Sequence, residues 1–221
     1  SSVTFKYDTT KPNSTIQVPQ QDQFYKSLTT LSGTSSDTGP GNSASGVALV
    51  KLQITKLTGS ATYYWDEYNK WQTNPQWLNA SGTDNWTYNF NDTDWESGRK
   101  YQVLSKAKDD AGNEQTSLNV GDFFFDSVRP VCSVTKPENS KYYKSLAEIS
   151  GTAQDKPLSP LFNVGLKQVE LRIKDANSPS TPYWDGMNIV WSSSETWNGV
   201  TLYASTWTYT FNDANWTDGH T

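Results

Sequence analysis

The sequence predicts an all-β protein made of two tandem Greek-key β-sandwiches, the second of which lacks its last strands. Three observations lead to this prediction. The chain of 221 residues contains an internal repeat of about 120 residues, apolar and polar side chains alternate within each repeat, and turn-forming residues separate the alternating segments. No stretch shows the periodicity of an amphipathic helix.

Short motifs recur in the same order in the two halves of the chain. Phe5-Lys6-Tyr7-Asp8 recurs as Phe123-Phe124-Phe125-Asp126, and Trp86-Thr87-Tyr88-Asn89-Phe90 recurs as Trp207-Thr208-Tyr209-Thr210-Phe211. Because solenoid units repeat every ~20–50 residues, this longer period indicates a whole domain. We expect the end of a preceding repeat or a linker at 1–7, one domain at 8–124 and a second at 125–221, with a junction around 121–130.

Alternation within the first repeat predicts strands with one buried and one solvated face. Val50-Lys51-Leu52-Gln53-Ile54 is an example, and Asp110-Ala111-Gly112-Asn113 is a turn signal. The predicted strands are 14–18, 28–34, 47–57, 62–66, 86–90, 101–108 and 114–124. Such a set is typical of a Greek-key sandwich. In the crossover at 91–98 we expect Asp92 to cap a helical turn, and Tyr101 to be the corner tyrosine of the next strand.

Composition excludes several classes of function. Hydrophobic residues make up 34% of the chain but aromatic residues 14%, which indicates a core of few, large side chains rather than disorder. The net charge of -5 argues against nucleic acid as a partner. No apolar run is long enough to span a membrane. Cys132 is the one cysteine, so no intramolecular disulfide forms, and we expect it to be a half-buried strand residue.

A further motif carries a resemblance to a known family. The first repeat contains Trp86-x-Tyr88-x-Phe90-x-Asp92-x-x-Trp95-x-x-Gly98, followed by Tyr101-x-Val103-x-x-x-Ala107-x-Asp109-x-Ala111-Gly112-Asn113. These strings resemble the bacterial immunoglobulin-like (Big and fibronectin-III-like) tandem repeats of large surface or secreted proteins. The resemblance covers nearly the whole chain. It is specific for the fold and for the tandem arrangement, and weak for the function.

The resemblance implies an extracellular or cell-surface structural module that forms a fibre, a stalk or an adhesin arm. Its partners would be neighbouring repeats of the same chain or identical subunits, together with surface glycans. Asp126 and Pro130 mark the junction between repeats, and we expect the aromatic residues Phe123, Phe124 and Phe125 to be held there by the ends of both domains.

The second repeat departs from this pattern, because it has no equivalents of residues 101–124. Residues 3–7 resemble the end of a preceding last strand. Two explanations follow from the sequence: the chain is part of a longer array, or a neighbouring subunit donates the missing strand.

Tryptophans of the segment after the third strand suggest an alternative function. A carbohydrate-binding module could stack sugars on exposed rings, although recurrence in both repeats favours a role in the fold. The candidates are Trp65, Trp71, Trp77, Trp184, Trp191 and Trp197.

Acidic side chains gather at one end of the predicted sandwich. The loops after the second and sixth strands and the start of the first strand meet there, which brings together Asp8, Asp37, Asp109, Asp110 and Asn113. Ca²⁺ takes carboxylate and amide oxygens as ligands, so it is the candidate cofactor at this end of the sandwich. We expect the fold itself to require no cofactor. The alternative is that these residues only cap loops and turns.

The sequence also bears on glycosylation and on catalysis. Asparagine sequons for glycosylation occur at Asn13, Asn79, Asn85, Asn91 and Asn215. For catalysis, the only histidine is His220, and the sequence contains neither a zinc-ligand cluster nor a phosphate-binding glycine loop. The sequence therefore predicts a protein that is not an enzyme.

Overall fold

The computed structural model describes residues 1–40, 44–157 and 162–221. The protein is all-β, with 43% of its residues in strands and 3% helical, which confirms the predicted class. The described residues form two compact units, one of residues 1–128 with the described part of 157–164, the other of 129–156 with 165–221. Within the described part of the chain, no helix is long and apolar enough to cross a bilayer.

The first unit has the strand arrangement of a Greek-key sandwich. Its strands are β1 (Asn13–Val18), β2 (Gln23–Tyr25), β3 (Thr30–Ser36), β4 (Val47–Leu57), β5 (Thr62–Trp65), β6 (Trp71–Gln72), β7 (Leu78–Asn79), β8 (Asn85–Asn89), β9 (Arg99–Asp109) and β10 (Asn119–Phe125). One sheet has the order β1-β3-β8, and the other the order β2-β10-β9-β4-β5-β6, with β7 also paired to β4. Each predicted strand of this repeat is present, and β4 has the predicted bounds.

The core of the first unit lies between these two sheets. Val50, Leu52 and Ile54 of β4 are fully buried, because alternate residues of a strand share one face. Trp86 of β8 lies across Gly33 of β3. A side chain at Gly33 would overlap both the Trp86 ring and a carbonyl oxygen of β1, so this contact requires glycine.

The crossover from β8 to β9 is fixed by two side chains. The buried Tyr101 hydroxyl donates to the Glu96 carbonyl at 3.2 Å and accepts the Glu96 N–H at 2.6 Å, which is the predicted corner arrangement. Asp92 begins a 3-10 turn, Asp92–Asp94, but does not cap it, since Asn91 occupies the cap position. The Asp92 carboxylate instead accepts the N–H of Leu28 at 2.6 Å and the Ser27 hydroxyl, and so joins the crossover to the chain before β3.

The second unit repeats the smaller sheet of the first. Its strands are β11 (Val131–Lys136), β12 (Glu148–Gln154), β13 (Glu170–Leu171), β14 (Tyr183–Asp185), β15 (Val190–Ser192), β16 (Asn198–Gly199), β17 (Thr201–Tyr203) and β18 (Thr206–Thr210). β11, β12 and β18 correspond to β1, β3 and β8, and β17 extends this sheet. Trp207 lies across Gly151 as Trp86 lies across Gly33. Two-stranded pairs, β13 with β16 and β14 with β15, form the opposite side.

Candidate metal centre

Three aspartates lie where separate segments meet at one end of the first unit. Asp37 directly follows β3, and Asp109 is the last residue of β9. Asp8 precedes β1, which begins opposite the end of β3 because the two strands are antiparallel. The pairing of Val47 with Asp109 brings the end of β9 to the same edge. Strand register therefore places all three side chains together.

The three side chains form a compact group of oxygens. One carboxylate oxygen from each lies within 4.8 Å of the other two. Asp109 is only 2% exposed, and Asp8 and Asp37 are partly buried. Three negative charges at this separation repel one another, the more so where water is excluded.

Backbone N–H groups orient the carboxylates of Asp8 and Asp37. Asp8 accepts the N–H of Thr10 at 2.9 Å and of Ser45 at 2.7 Å. Asp37 accepts the N–H of Gly46 through Oδ2 at 2.9 Å. Hydrogen bonds from Ser45, and then from Thr10, hold the pKa of Asp8 below its usual value. The carboxylate of Asp8 is therefore favoured over its protonated form.

Asn113 completes the group from the turn after β9. Its backbone N–H and its Nδ2 donate to the two oxygens of Asp109, at 2.7 and 2.8 Å, and its Nδ2 also lies 3.2 Å from the carbonyl oxygen of Asp8. Asp110 does not belong to the group of close carboxylates, and its backbone N–H donates to the Gly46 carbonyl at 3.1 Å. The structure thus brings together Asp8, Asp37, Asp109 and Asn113, but not the carboxylate of Asp110.

One oxygen in this group has no partner. Oδ1 of Asp37 is buried and receives no hydrogen bond from the part of the chain that the structure describes. Among the described residues one other buried side-chain atom shares this state, Oδ2 of Asp155, which is the counterpart of Asp37 in the second repeat. Burying a carboxylate oxygen without a partner is unfavourable, and a bound cation or a water molecule would remove this cost.

The donor set fits a hard cation. No ion pair within the described ranges involves Asp8, Asp37 or Asp109, so their charges are not balanced by lysine or arginine. Ca²⁺ binds ~6–8 oxygen ligands from carboxylates, carbonyls and water, whereas zinc prefers histidine and cysteine. The oxygens present here are of the first kind.

Sequence reasoning did not identify the loop that holds Asp8 and Asp37 in place. Ser45 and Gly46 supply their backbone N–H groups to these carboxylates, and Gly46 adopts a positive φ of 90°. The signal was present in the repeat, since Gly165 in the corresponding loop also has a positive φ, of 81°.

Most of the candidate sugar-stacking tryptophans are packed inside their units. Trp65 and Trp184 are 3% and 4% exposed, so a sugar cannot stack on either ring in this conformation. Trp71 and Trp191 are half-buried, and their indole N–H groups donate to the carbonyls of Asp94 and Asn215 at 3.0 and 3.1 Å.

The two remaining candidates lie at the surface under a basic side chain. Lys106 Nζ is 4.5 Å from the centre of the Trp77 ring, and Arg172 Cζ is 5.3 Å from that of Trp197. Trp197 is 54% exposed, whereas Trp77 is partly buried. Of the six candidates, Trp197 offers the most accessible ring.

The sequon asparagines differ in accessibility. Asn79, Asn85 and Asn91 are exposed. Asn13 is also exposed, but its side-chain oxygen accepts a hydrogen bond from Gln115 at 3.2 Å. Asn215 is half-buried within the 3-10 turn Asp213–Asn215.

Four of the five candidate junction residues belong to the first unit, and the fifth, Pro130, belongs to the second. Phe123 and Phe125 are buried in the core of the first unit, and Phe124 lies between the rings of Phe24 and Phe162, each at 4.8 Å. Asp126 is buried and accepts hydrogen bonds from the Ser97 hydroxyl and from the N–H groups of Val128 and Val164, and Pro130 is exposed.

Cys132 and His220 are both exposed. Cys132, in β11, is exposed rather than half-buried as predicted. His220 Nδ1 lies 2.7 Å from the Asp175 carboxylate, an interaction that lowers the pKa of Asp175.

Comparisons with protein-family models and with curated proteins give no match to this chain.

Proposed function

We propose that the chain is a structural, non-catalytic repeat module of an extracellular fibre or stalk, and that its first unit binds Ca²⁺ through Asp8, Asp37 and Asp109. The module part of the proposal rests on the internal repeat and the all-β fold. The polar, acidic surface suits an exposed filament, since net charge keeps repeats from associating nonspecifically.

The buried, unpartnered Oδ1 of Asp37 is the observation that carries the calcium proposal. It lies in a group of three carboxylates that form no ion pair with a lysine or arginine among the residues that the structure describes. A divalent cation would accept this oxygen as a ligand and would remove the repulsion among the three charges.

Calcium at this position would join three separate segments of the first unit. Asp8 lies on the chain leading into β1, Asp37 on the β3–β4 loop and Asp109 at the β9–β10 turn. A cation that binds all three would stabilise the end of the sandwich at which the chain enters. This is the stiffening that a load-bearing module needs.

A calcium titration tests this proposal. Thermal unfolding in chelator and in millimolar Ca²⁺ should differ by roughly 5 °C or more, because a ligand at about 100 times its Kd stabilises the folded state by about 2.7 kcal/mol. Asp37→Asn should abolish the shift, since it keeps the acceptor for the Gly46 N–H but removes the charge.

Asp110→Asn is the matched control, because it removes a neighbouring charge outside the group and should leave the calcium response intact. Mg²⁺, which demands a tighter octahedral set, should have a smaller effect. Identical melting temperatures of the native sequence in chelator and in Ca²⁺ would contradict the calcium proposal.

The fibre or stalk role has its own test. The intact denatured mass of the protein from its source should lie far above 24.8 kDa if the chain belongs to a tandem array, with added sugar-sized increments if sequons are occupied. A mass of 24.8 kDa would favour subunits that complete one another by strand donation. Protease treatment of intact cells should remove the protein if it is extracellular.

Carbohydrate binding through surface tryptophans is a second candidate, and the exposure of Trp197 beside Arg172 is the observation that favours it. Loss of glycan binding in Trp197→Ala would support it. An unchanged affinity would rule out the most accessible ring of the six candidates.

A further inference from the structure

A cavity of about 290 Å³ lies on the first unit, between the β5–β6 hairpin and the end of β8. Its volume is just below the range of drug-sized ligand sites, about 300–1,000 Å³, and would suit a smaller ligand. Six residues line it: Trp65, Asn69, Asn89, Phe90, Asn91 and Asp94.

The floor of this cavity is rigid and apolar. Trp65 and Phe90 are 3% and 7% exposed, and their ring centres lie 4.6 Å apart. Both rings belong to the core cluster of the first unit, so they are held from below by its packing.

The rim consists of three amides and one carboxylate. Asn69, Asn89 and Asn91 are exposed, and Asp94 is partly buried. Within the described ranges, none of these four side chains has a hydrogen-bond partner, so their donors and acceptors are available to a ligand.

Backbone structure fixes the position of this rim. Asn69 adopts a positive φ of 58° in the turn between β5 and β6. Asn89 ends β8, Asn91 precedes the 3-10 turn and Asp94 ends it. The Trp71 indole N–H donates to the Asp94 carbonyl at 3.0 Å and ties that turn to β6.

We propose that this cavity binds one neutral sugar ring of a glycan. Amide and carboxylate groups around an opening can exchange hydrogen bonds with several adjacent hydroxyls. The small exposed edges of Trp65 and Phe90 at the floor add apolar contact but no stacking face. None of the six lining residues is basic, which excludes a phosphate or an acidic sugar as the preferred ligand. The site is separate from the calcium group and does not depend on it.

The second repeat keeps part of this arrangement. Asn91 corresponds to Asn212, but Asn89 and Asp94 are replaced by Thr210 and Asn215. The carboxylate of the rim is therefore a property of the first repeat, and an Asp94→Asn variant imitates the second.

A glycan array tests the proposal. The whole chain, produced without N-linked glycans, is applied to neutral and acidic oligosaccharides, and its affinity for the best neutral glycan is then measured by calorimetry. We expect Asp94→Asn to weaken binding roughly tenfold and Asn89→Ala with Asp94→Asn to abolish it, because hydrogen bonds to a charged group are the strongest in the site. Both positions are near the surface, and circular dichroism should show that the variants fold.

Three control variants separate this site from the others. Asn79→Ala, an exposed asparagine outside the cavity, and Asp37→Asn, in the calcium group, should both keep full affinity. Trp197→Ala should also keep it. The proposal would be overturned if binding were lost in Trp197→Ala but kept in Asp94→Asn. It would also be overturned if the protein bound only acidic glycans or no neutral glycan at all. These outcomes do not depend on the result of the calcium titration.

Discussion

The segments 47–57 and 166–173 carry the same alternation of apolar and polar residues, yet they differ in structure. The first is β4, a strand of 11 residues, whereas in the second only Glu170 and Leu171 are in a strand. β4 is paired with β9 along its whole length, while β13 is paired with the two residues of β16. Alternation therefore decides which side chains face a core, but a long strand also needs a neighbour that satisfies its backbone groups.

The same difference appears in the two cores. Val50, Leu52 and Ile54 are fully buried, whereas their counterparts in the second unit, Val169, Leu171 and Ile173, keep 8–9% of their surface exposed. The smaller sheets, by contrast, are alike in the two units. Both units have the contact between a glycine and a tryptophan. Both also have an aspartate, Asp92 or Asp213, whose carboxylate accepts a leucine N–H, and we call this contact the aspartate clip. The two units thus share one half of a sandwich and differ in the other.

The largest effects should come from the contact that both units share. Gly33→Ala and Gly151→Ala each place a methyl group inside the ring of Trp86 or Trp207, so that the tryptophan must leave the core. We expect each to cost about 3–5 kcal/mol of unfolding free energy, as removal of a buried tryptophan does. Denaturant unfolding followed by tryptophan fluorescence measures it.

Gly199→Ala is the control for this pair, since an added Cβ there meets no atom within 4 Å. It should change the unfolding free energy by no more than about 0.5 kcal/mol. A mild effect of Gly33→Ala together with a severe effect of Gly151→Ala would show that the smaller sheets of the two units are not equivalent.

A core truncation should separate the units. Leu52→Ala should cost about 2–5 kcal/mol, because Leu52 is fully buried and its surroundings cannot close the cavity. Leu171→Ala should cost clearly less, since Leu171 lies beside an incompletely covered face that can relax or admit water. Equal losses, measured by denaturant unfolding of the two variants, would mean that the second core is as tightly packed as the first.

The aspartate clip should give smaller losses of equal size in the two units. Asp92 and Asp213 each accept a leucine N–H, from Leu28 at 2.6 Å and from Leu146 at 2.7 Å, together with a serine hydroxyl. We expect Asp92→Ala and Asp213→Ala each to cost about 1–2 kcal/mol, the value of a hydrogen bond to a charged acceptor. A loss in one unit only, seen by calorimetry, would contradict their equivalence.

Much of the fold follows from the sequence, and the exceptions have physical causes. The bounds of β4 were predicted because alternation extends along the whole strand. β2 was missed, since a strand of three residues, Gln23–Tyr25, is too short to show alternation and pairs in parallel with the distant β10. β10 begins at Asn119 rather than 114, because the Gln115 side chain bonds the backbone of Ser14 and Ala107 in place of a continuing strand.

The candidate metal centre could be predicted only in part, because strand topology places some of its residues and loop conformation places the others. Asp8, Asp37 and Asp109 were identified because strand ends meet at one end of a sandwich, which topology alone implies. The unpartnered oxygen of Asp37 and the N–H groups of Ser45 and Gly46 depend on loop conformation, and composition does not encode it. The cavity beside the β5–β6 hairpin depends on the hairpin tip meeting the β8–β9 crossover, and no sequence pattern links these two segments.

The smallest effect concerns a pair of equivalent strand residues. Ser14 is fully buried, and its hydroxyl donates to Ser105 of β9 at 3.0 Å, whereas its counterpart Cys132 is exposed. Cys132→Ser should therefore change the unfolding free energy by no more than about 0.5 kcal/mol, since it alters one surface atom.

Thiol labelling tests the same difference in exposure. In the folded protein the Cys132 thiol should react with a thiol reagent at nearly the rate of the unfolded chain. A cysteine at position 14, in the double variant Ser14→Cys with Cys132→Ser, should react only after unfolding. Mass spectrometry of the labelled protein measures both rates. Protection of Cys132 would mean that the face left open in the second unit is covered in solution, and the comparison between the two units would then have to be drawn again.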